Sequence, residues 1–458
     1  MTRVLLLGGG AREHAMAFAL AKDGAELFVV SKSRNPGLAR LAKDHKVASE
    51  TDPGAVVEAA KHWRVELALA GPEAPLEAGV TDALARAGVR VASPSKAAAE
   101  VETSKAYLRA LMDKHHLAGR VRHRRFTSTE GLRDWLRELG SVAVKPDGLT
   151  GGKGVKVSGD HLADAAAAEA YARECLAQRV GGAGGVVLEE KLEGEEFTLQ
   201  AFSDGRTLQA MPAVQDHKRA FDGDEGNNTG GMGSYSDRDH LLPFVTRRDA
   251  EASKAILGAI IGALREEGRP YHGTIYGQFM LTAQGPKVIE CNARFGDPEA
   301  MNVLGLLASD YLAIAEGMAA GSLSPAAVRF ESLATVCKYV VPPGYGEAGG
   351  KPGIVVRADE RAIAEAGASL YWAAVHEEGG AIKTTTSRTC AVLAKAPTIA
   401  EAEQACEAAL KLVQGPGLRV RHDIGTTALV QRRVEHMARV LQGQGRRNQP
   451  GTPEGTAL

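Results

Sequence analysis

The chain opens on an apolar run, Arg3 to Leu7, that stops at Gly8-Gly9-Gly10. With no polar alternation after Arg3, the run reads as a strand buried on both faces and feeding a turn. Arg12 to Lys22 then carries a helical spacing, and further strands follow at Glu26–Val30, Glu66–Ala70 and Val89–Ala92. Strands alternating with helices predict a doubly wound α/β domain with a parallel sheet over residues 1–101. Lys96–His116 reads as one long helical segment.

A second pattern begins with strands at Ser141–Val144 and Gly154–Val157, joined by a glycine-rich tip. An Ala-rich helix at Ala163–Arg179, a strand at Val186–Glu190 and an alternating strand at Glu196–Ser203 follow. Asp216–Ser236 is polar and glycine-rich without periodicity, which predicts a long loop; inside a compact domain such loops are functional or disordered. Helix returns at Ala250–Glu267, then a hairpin over Thr274–Asn292 turning at Gln284-Gly285-Pro286. These elements make a second unit over residues 102–330. Residues 331–435 read as a third, small α+β unit, with Thr398 and Glu401 forming a capping-box signature. Residues 443–458 are Gly, Arg, Gln, Asn, Pro and Thr in the main, and are expected to be disordered.

The length of 458 residues exceeds what one hydrophobic core organises. A formal net charge of -1 gives no electrostatic reason to expect nucleic acid or an anionic membrane as partner. No window has the apolar length of a bilayer span, and the N-terminus lacks a signal peptide's cleavage site. The five cysteines, Cys175, Cys291, Cys337, Cys390 and Cys406, form no C-x-x-C pair. A disulfide framework or structural zinc site is therefore not indicated, and reduced thiols in a cytoplasmic protein are expected.

Five stretches carry candidate chemistry. Gly8-Gly9-Gly10 offers free backbone N–H groups at a helix N-terminus, which suits a phosphate-sized anion or a plain tight turn. It is no dinucleotide fingerprint, because Glu13 stands where the third glycine belongs and no acid closes the second strand. Lys145-Pro146-Asp147-Gly148-Leu149-Thr150-Gly151-Gly152-Lys153-Gly154 sets two lysines around glycines, as a flap over phosphates requires. It lacks the Ser/Thr of a Walker A loop. Glu189-Glu190-Lys191-Leu192 leads into Glu195-Glu196, a charge run on its own and a nucleotide edge beside the other motifs. Glu290 and Asn292, two apart on a strand, share one face and supply the oxygen donors Mg²⁺ takes, with Gln278 on the partner strand near Glu290. Finally, Gln215-Asp216-His217-Lys218-Arg219 and Asn227-Asn228-Thr229-Gly230 place cations and amides in the long loop.

Together these residues resemble the phosphoribosylamine–glycine ligase (GAR synthetase) family of the ATP-grasp superfamily. The matching pieces, in order, are GGGAREHA, GPEAPLEAGV, VETSKAY, KPDGLTGGKGV, LEEKLEGEE, QDHKR, NTGGMG and NARFGDPE. The resemblance implies an ATP-grasp domain with a mobile lid over about residues 120–192. It also implies ATP-dependent joining of glycine to 5-phosphoribosylamine through glycyl phosphate, within purine biosynthesis, by a monomer or weak dimer. By position, Lys105, Lys145, Gly151, Gly152 and Lys153 would hold the phosphates of ATP. Glu189, Glu190 and Leu192 would face adenine, and Glu196 the ribose. Glu290 and Asn292, with Gln278, would bind Mg²⁺ or Mn²⁺. Gly9, Gly10, Pro72 and Glu73 would border the phosphoribosyl group. Asp216, Lys218, Asn228, Thr229, Gly230, Arg294 and Asp297 would line the glycine and amine side, with Arg294 on the glycine carboxylate. Gln278 departs from the family pattern, which has a small residue there. Three rivals are weighed: another ATP-grasp ligase or purine-pathway carboxylase, a nicotinamide dehydrogenase, and a non-catalytic ATP sensor.

Overall fold

The computed structural model describes residues 1–150, 154–347 and 349–447. The first sheet contains β1 (Arg3–Leu7), β2 (Glu26–Ser31), β3 (Asp44–Val47), β4 (Leu67–Ala70) and β5 (Arg90–Val91), all parallel, in the order β3-β2-β1-β4-β5. Val4 to Leu7 of central β1 are fully buried, as a strand covered on both faces must be. β3, absent from the hydrophobic pattern, is the polar segment DHKV at the sheet edge. The strand order reverses between β1 and β4, which opens a crevice at their carboxyl ends, where Gly8 to Gly10 and Gly71 lie.

The lid sheet pairs β6 (His123–Phe126), β7 (Val142–Gly148), β8 (Lys156–Val157) and β9 (Gly182–Glu190) in the order β6-β9-β7-β8. Helices Leu132–Leu139 and Ala165–Gln178 pack Leu132, Leu136, Ala168 and Tyr171 against Val142, Val144, Val186 and Leu188 in a core of their own. Next come β10 (Glu195–Asp204), β11 (Leu208–Ala210), the short β12 (Gln215–Asp216), β13 (Arg219–Phe221), β14 (Glu225–Asn228) and β15 (Gly233–Ser236), then β16 (His272–Thr282) and β17 (Gly285–Asn292). The second antiparallel sheet runs β11-β10-β16-β17. Its last hairpin turns at Ala283-Gln284, because Thr282 pairs with Gly285.

Three expectations change here. The predicted loop 216–236 holds four short strands, and β15 pairs with β18 (Ala334–Val341) of the C-terminal sheet. The helical segment 96–116 breaks at Ser104 into Glu100–Thr103 and Lys105–Lys114. Ser104 caps the second helix through Tyr107 N–H at 3.0 Å and donates to Asp147 at 3.0 Å. That break makes Lys105 the first helical residue and aims it at the glycine-rich loop, where its Nζ donates to Gly148 O at 2.7 Å. The C-terminal helix Thr427–Arg447 continues past Gln442, where disorder was expected, and residues 448–458 lie outside the described residues. Among the described residues no helix is long and apolar enough to cross a membrane.

The first and third units meet at His14. Its Nδ1 accepts from Trp372 N–H at 2.9 Å, and its ring lies edge-on to Tyr371. Burial, aided by Arg40, holds its pKa down to about 3. An unfolded His14 takes a proton near pH 6.5, so the stability it contributes is complete above that pH and is lost as pH falls towards 3. Burial raises Glu102 and Asp216 to about 7, which slopes the other way. The test is therefore a difference. His14→Gln keeps an acceptor for Trp372 and should show a smaller drop in Tm between pH 7 and pH 5 than the unaltered protein. Equal drops would remove His14 from the acid response.

Candidate active site

The N-terminal glycine turn is occupied by an internal anion. Gly10 N–H donates to Glu13 Oε2 at 2.6 Å, and a Cβ on Gly71 would lie 2.1 Å from Glu13 Oε1. Gly8, with φ of +110°, gives way to the same side chain. The expected phosphate cradle at Gly9 and Gly10 thus loses the Gly10 donor, because the Glu13 carboxylate reaches back and takes it. Gly9, Gly10 and Pro72 stand behind the main cleft rather than in its lining, although a Cβ on Gly10 would come within 4.0 Å of Asp297.

The cleft itself, about 690 Å³, opens between the lid sheet and the β10-β16-β17 sheet. On the lid side, Lys145 of β7 is 5% exposed and its Nζ donates to Ile289 O of β17 at 2.9 Å. Glu189 of β9 takes Lys145 at 2.7 Å and Arg109 at 2.7 Å. Burial alone would raise Glu189, but Arg109 and Lys145 outweigh it and hold the carboxyl at about 2. Its carboxylate therefore fixes two cations. Glu189, Glu190 and Leu192 all line the cleft, and Glu190 accepts from Arg122 N–H at 2.8 Å. Gly151, Gly152 and Lys153 lie outside the described residues.

On the opposite side, Asp216, Lys218, Glu196, Glu290, Asn292 and Glu299 line one end of the cleft. Lys218 sits 3.9 Å from both Glu196 and Asp216. Burial would lower its pKa, but Asp216, Glu196, Glu290 and Glu299 together drive it well above the ordinary lysine value. Burial likewise pushes Asp216 up to about 7 against the pull of Lys218. Burial would also raise Glu290, yet Lys218, Lys145 and Lys105 overcome it and keep the carboxyl low. Lys105 itself is lowered by burial despite the nearby Glu290. An ionised carboxylate facing three lysines is a site built to exchange partners with a polyanion and its counter-ion.

Glu290 and Asn292 make no internal side-chain hydrogen bond among the described residues, so their oxygens are free to ligate. Among those residues no three His, Cys, Asp or Glu gather into a complete protein cage. An acid–amide pair completed by phosphate oxygens and water fits a hard divalent cation in that setting. Gln278 does not fit as a ligand here. It is fully buried, its Oε1 accepts from Lys218 at 2.8 Å and from Tyr276 at 2.7 Å, and its Nε2 donates to Glu196 at 2.5 Å. Both lone pairs of the amide oxygen are occupied, and Gln278 instead bridges a cation to an acid.

Arg294 is likewise more engaged than its sequence position suggests. Its guanidinium contacts Glu102 at 2.8 Å and Glu73 at 3.3 Å, and donates to Phe295 O. Burial would raise Glu73, but Arg294 and Arg12 hold it at about 2. Asp297 is met by Arg388 at 3.0 Å, and Arg388 also donates to Gly230 O at 2.6 Å. Thr229 donates to Lys218 O at 2.9 Å, and Asn228, Thr229 and Gly230 border the cleft. Sequence reading missed Glu102, Arg109, Glu299, Arg388, Arg433 and His436. Glu102 stood inside the quoted VETSKAY and Glu299 at the end of NARFGDPE; the others are brought in by long-range packing and carry no local signal.

Two antiparallel sheets closing on a polyanion-sized cleft, with lysines from both sides facing an acid–amide pair, define an ATP-grasp protein. Residues 103–300 match the ATP-grasp (A) domain of phosphoribosylglycinamide synthetase, residues 2–102 its N domain and residues 335–427 its C domain. The chain belongs to the phosphoribosylglycinamide synthetase family. It is 50% identical over 438 residues to the phosphoribosylamine–glycine ligase of Methanoregula boonei, covering 95% of this chain and 99% of that one. The corresponding ligase of Methanothermobacter thermautotrophicus is 49% identical over 436 residues, with 95% and 99% covered. The crystal structure of phosphoribosylamine–glycine ligase from Thermotoga maritima superposes with a TM-score of 0.79 at 26% identity, covering 92% of this chain and 100% of that one.

Proposed function

We propose that the protein joins glycine to 5-phosphoribosylamine at the expense of ATP, yielding phosphoribosylglycinamide, ADP and phosphate for purine biosynthesis. The observation that carries this reading is the facing of Lys105, Lys145 and Lys218 onto Glu290 in one cleft. The family membership supports it.

A carboxylate is a poor acyl donor because oxide does not leave. Transfer of the γ-phosphoryl group of ATP to glycine breaks the β–γ bond and gives glycyl phosphate. The amine of phosphoribosylamine then attacks the carbonyl carbon, phosphate leaves with the C–O bond electrons, and the amine loses a proton. The protein's part is to position the reactants and balance charge. Lys105, Lys145 and Lys153 are assigned to the phosphates, the Glu190–Leu192 stretch to adenine and Glu196 to ribose. Glu290 and Asn292 are assigned to Mg²⁺ or Mn²⁺, which when bound neutralises phosphate charge. Lys218, rather than the doubly paired Arg294, is assigned to the glycine carboxylate, since its ammonium keeps donors free on the cleft side. The phosphoribosyl group is assigned to the stretch of cleft lined by Glu73, Arg294 and Asp297, in front of the glycine turn that Glu13 fills.

Incubation with ATP, glycine and freshly made phosphoribosylamine is expected to release ADP, with phosphoribosylglycinamide formed in equal amount. Each omission should stop it. Undiminished ADP release without glycine would overturn the reading and favour another acceptor.

A further inference from the structure

The helix Thr427–Arg447 begins where the last family-matched stretch ends at residue 427. It is nevertheless built into the molecule. Leu429 and Met437 are buried in the main core, while Arg433 and His436 reach the wall of the cleft. His436 Nδ1 lies 2.6 Å from Glu195 Oε1, and Arg433 Nη1 lies 3.7 Å from Glu195 Oε2. Arg433 also grips Asp224 of the loop between β13 and β14, and Asp224 contacts His217 at 3.6 Å. One helix thus ties two segments that border the cleft from different strands.

We infer that this helix is a positioning element for the nucleotide, with Arg433 and His436 fixing the strand start that carries Glu196. The inference rests on the assignment of Glu196 to ribose. Glu195 and Glu196 are adjacent on β10, so their side chains point to opposite faces. Glu195 is 4% exposed and serves as the anchor, while Glu196 turns to the face of the cleft that carries Gln278 and Lys218. Gln215 completes the linkage, donating to Glu195 Oε2 at 3.4 Å and to Glu196 O at 3.0 Å. Behind Arg433 and His436 lies a second cavity of about 210 Å³ that shares Glu195 and Asp224 with the main cleft. The two side chains are the partition between these spaces. Their loss would free the end of β10 and admit water to the nucleotide's edge.

Arg433→Met is expected to raise the KM for ATP about tenfold, with a much smaller change in the KM for glycine. His436→Gln should move the same constant in the same direction, and Arg433→Lys should recover most of the loss. Gln431→Ala, exposed on the same helix and lining neither cavity, should change neither constant. Titration with Mg·ADP reads the linkage without glycine or amine, so weakened ADP binding in Arg433→Met supports the inference even where the ligase assay fails. Parallel rises in both KM values, or unaltered ADP affinity in Arg433→Met and His436→Gln, would reduce the helix to a structural role and overturn it.

Discussion

Glu290→Gln is expected to lower kcat by about 10³-fold while leaving the protein folded. The substitution keeps the side chain's size and removes the charge on which Lys105, Lys145 and Lys218 act. It also weakens the acid–amide pair assigned to the divalent cation. The fold survives because each lysine has another partner. Lys105 holds Gly148 O at 2.7 Å, Lys145 holds Glu189 at 2.7 Å, and Lys218 holds Gln278 at 2.8 Å. The measurement is steady-state turnover beside thermal unfolding. Turnover within a few-fold of the unaltered enzyme would take Glu290 out of the reacting centre.

Glu189→Leu should instead act on stability, costing about 3–5 kcal/mol. Glu189 is 3% exposed and neutralises Arg109, which is 2% exposed, together with Lys145. Removing the carboxylate strands two cations in a low-dielectric interior, a larger penalty than losing the pair as a whole. The double variant Glu189→Leu/Arg109→Met should therefore recover part of the loss, since one stranded charge goes with its partner. Chemical denaturation of the three proteins checks this. A double variant no more stable than Glu189→Leu alone would show that packing, not charge, dominates at this position.

The N-terminal sheet was legible because β1, β2 and β4 are short apolar runs closed by glycine or serine turns, and such runs are buried in parallel sheets. β3 was not, since an edge strand with the sequence DHKV carries no apolar period. The strands of residues 216–236 were hidden for another reason: β15 pairs with β18, a hundred residues away, and no local pattern reports that. The lysines and acids of the cleft were legible as residue types. Their pairings were not. Glu13 filling its own glycine turn, Gln278 bridging Lys218 to Glu196, and Arg294 held between Glu73 and Glu102 depend on side-chain directions that only tertiary packing sets. Family likeness supplied the functional assignment; geometry redistributed some of the tasks within it.

All five cysteines are buried, and burial lifts a thiol such as Cys291 to about 12. Under native conditions the molecule is therefore a nearly silent background for thiol-reactive dyes. A single new cysteine at Arg137, whose side chain is 72% exposed on helix Leu132–Leu139, would carry one fluorophore at a defined point. Optical tracking of the β6–β9 module during turnover then needs no prior removal of native sulfhydryls.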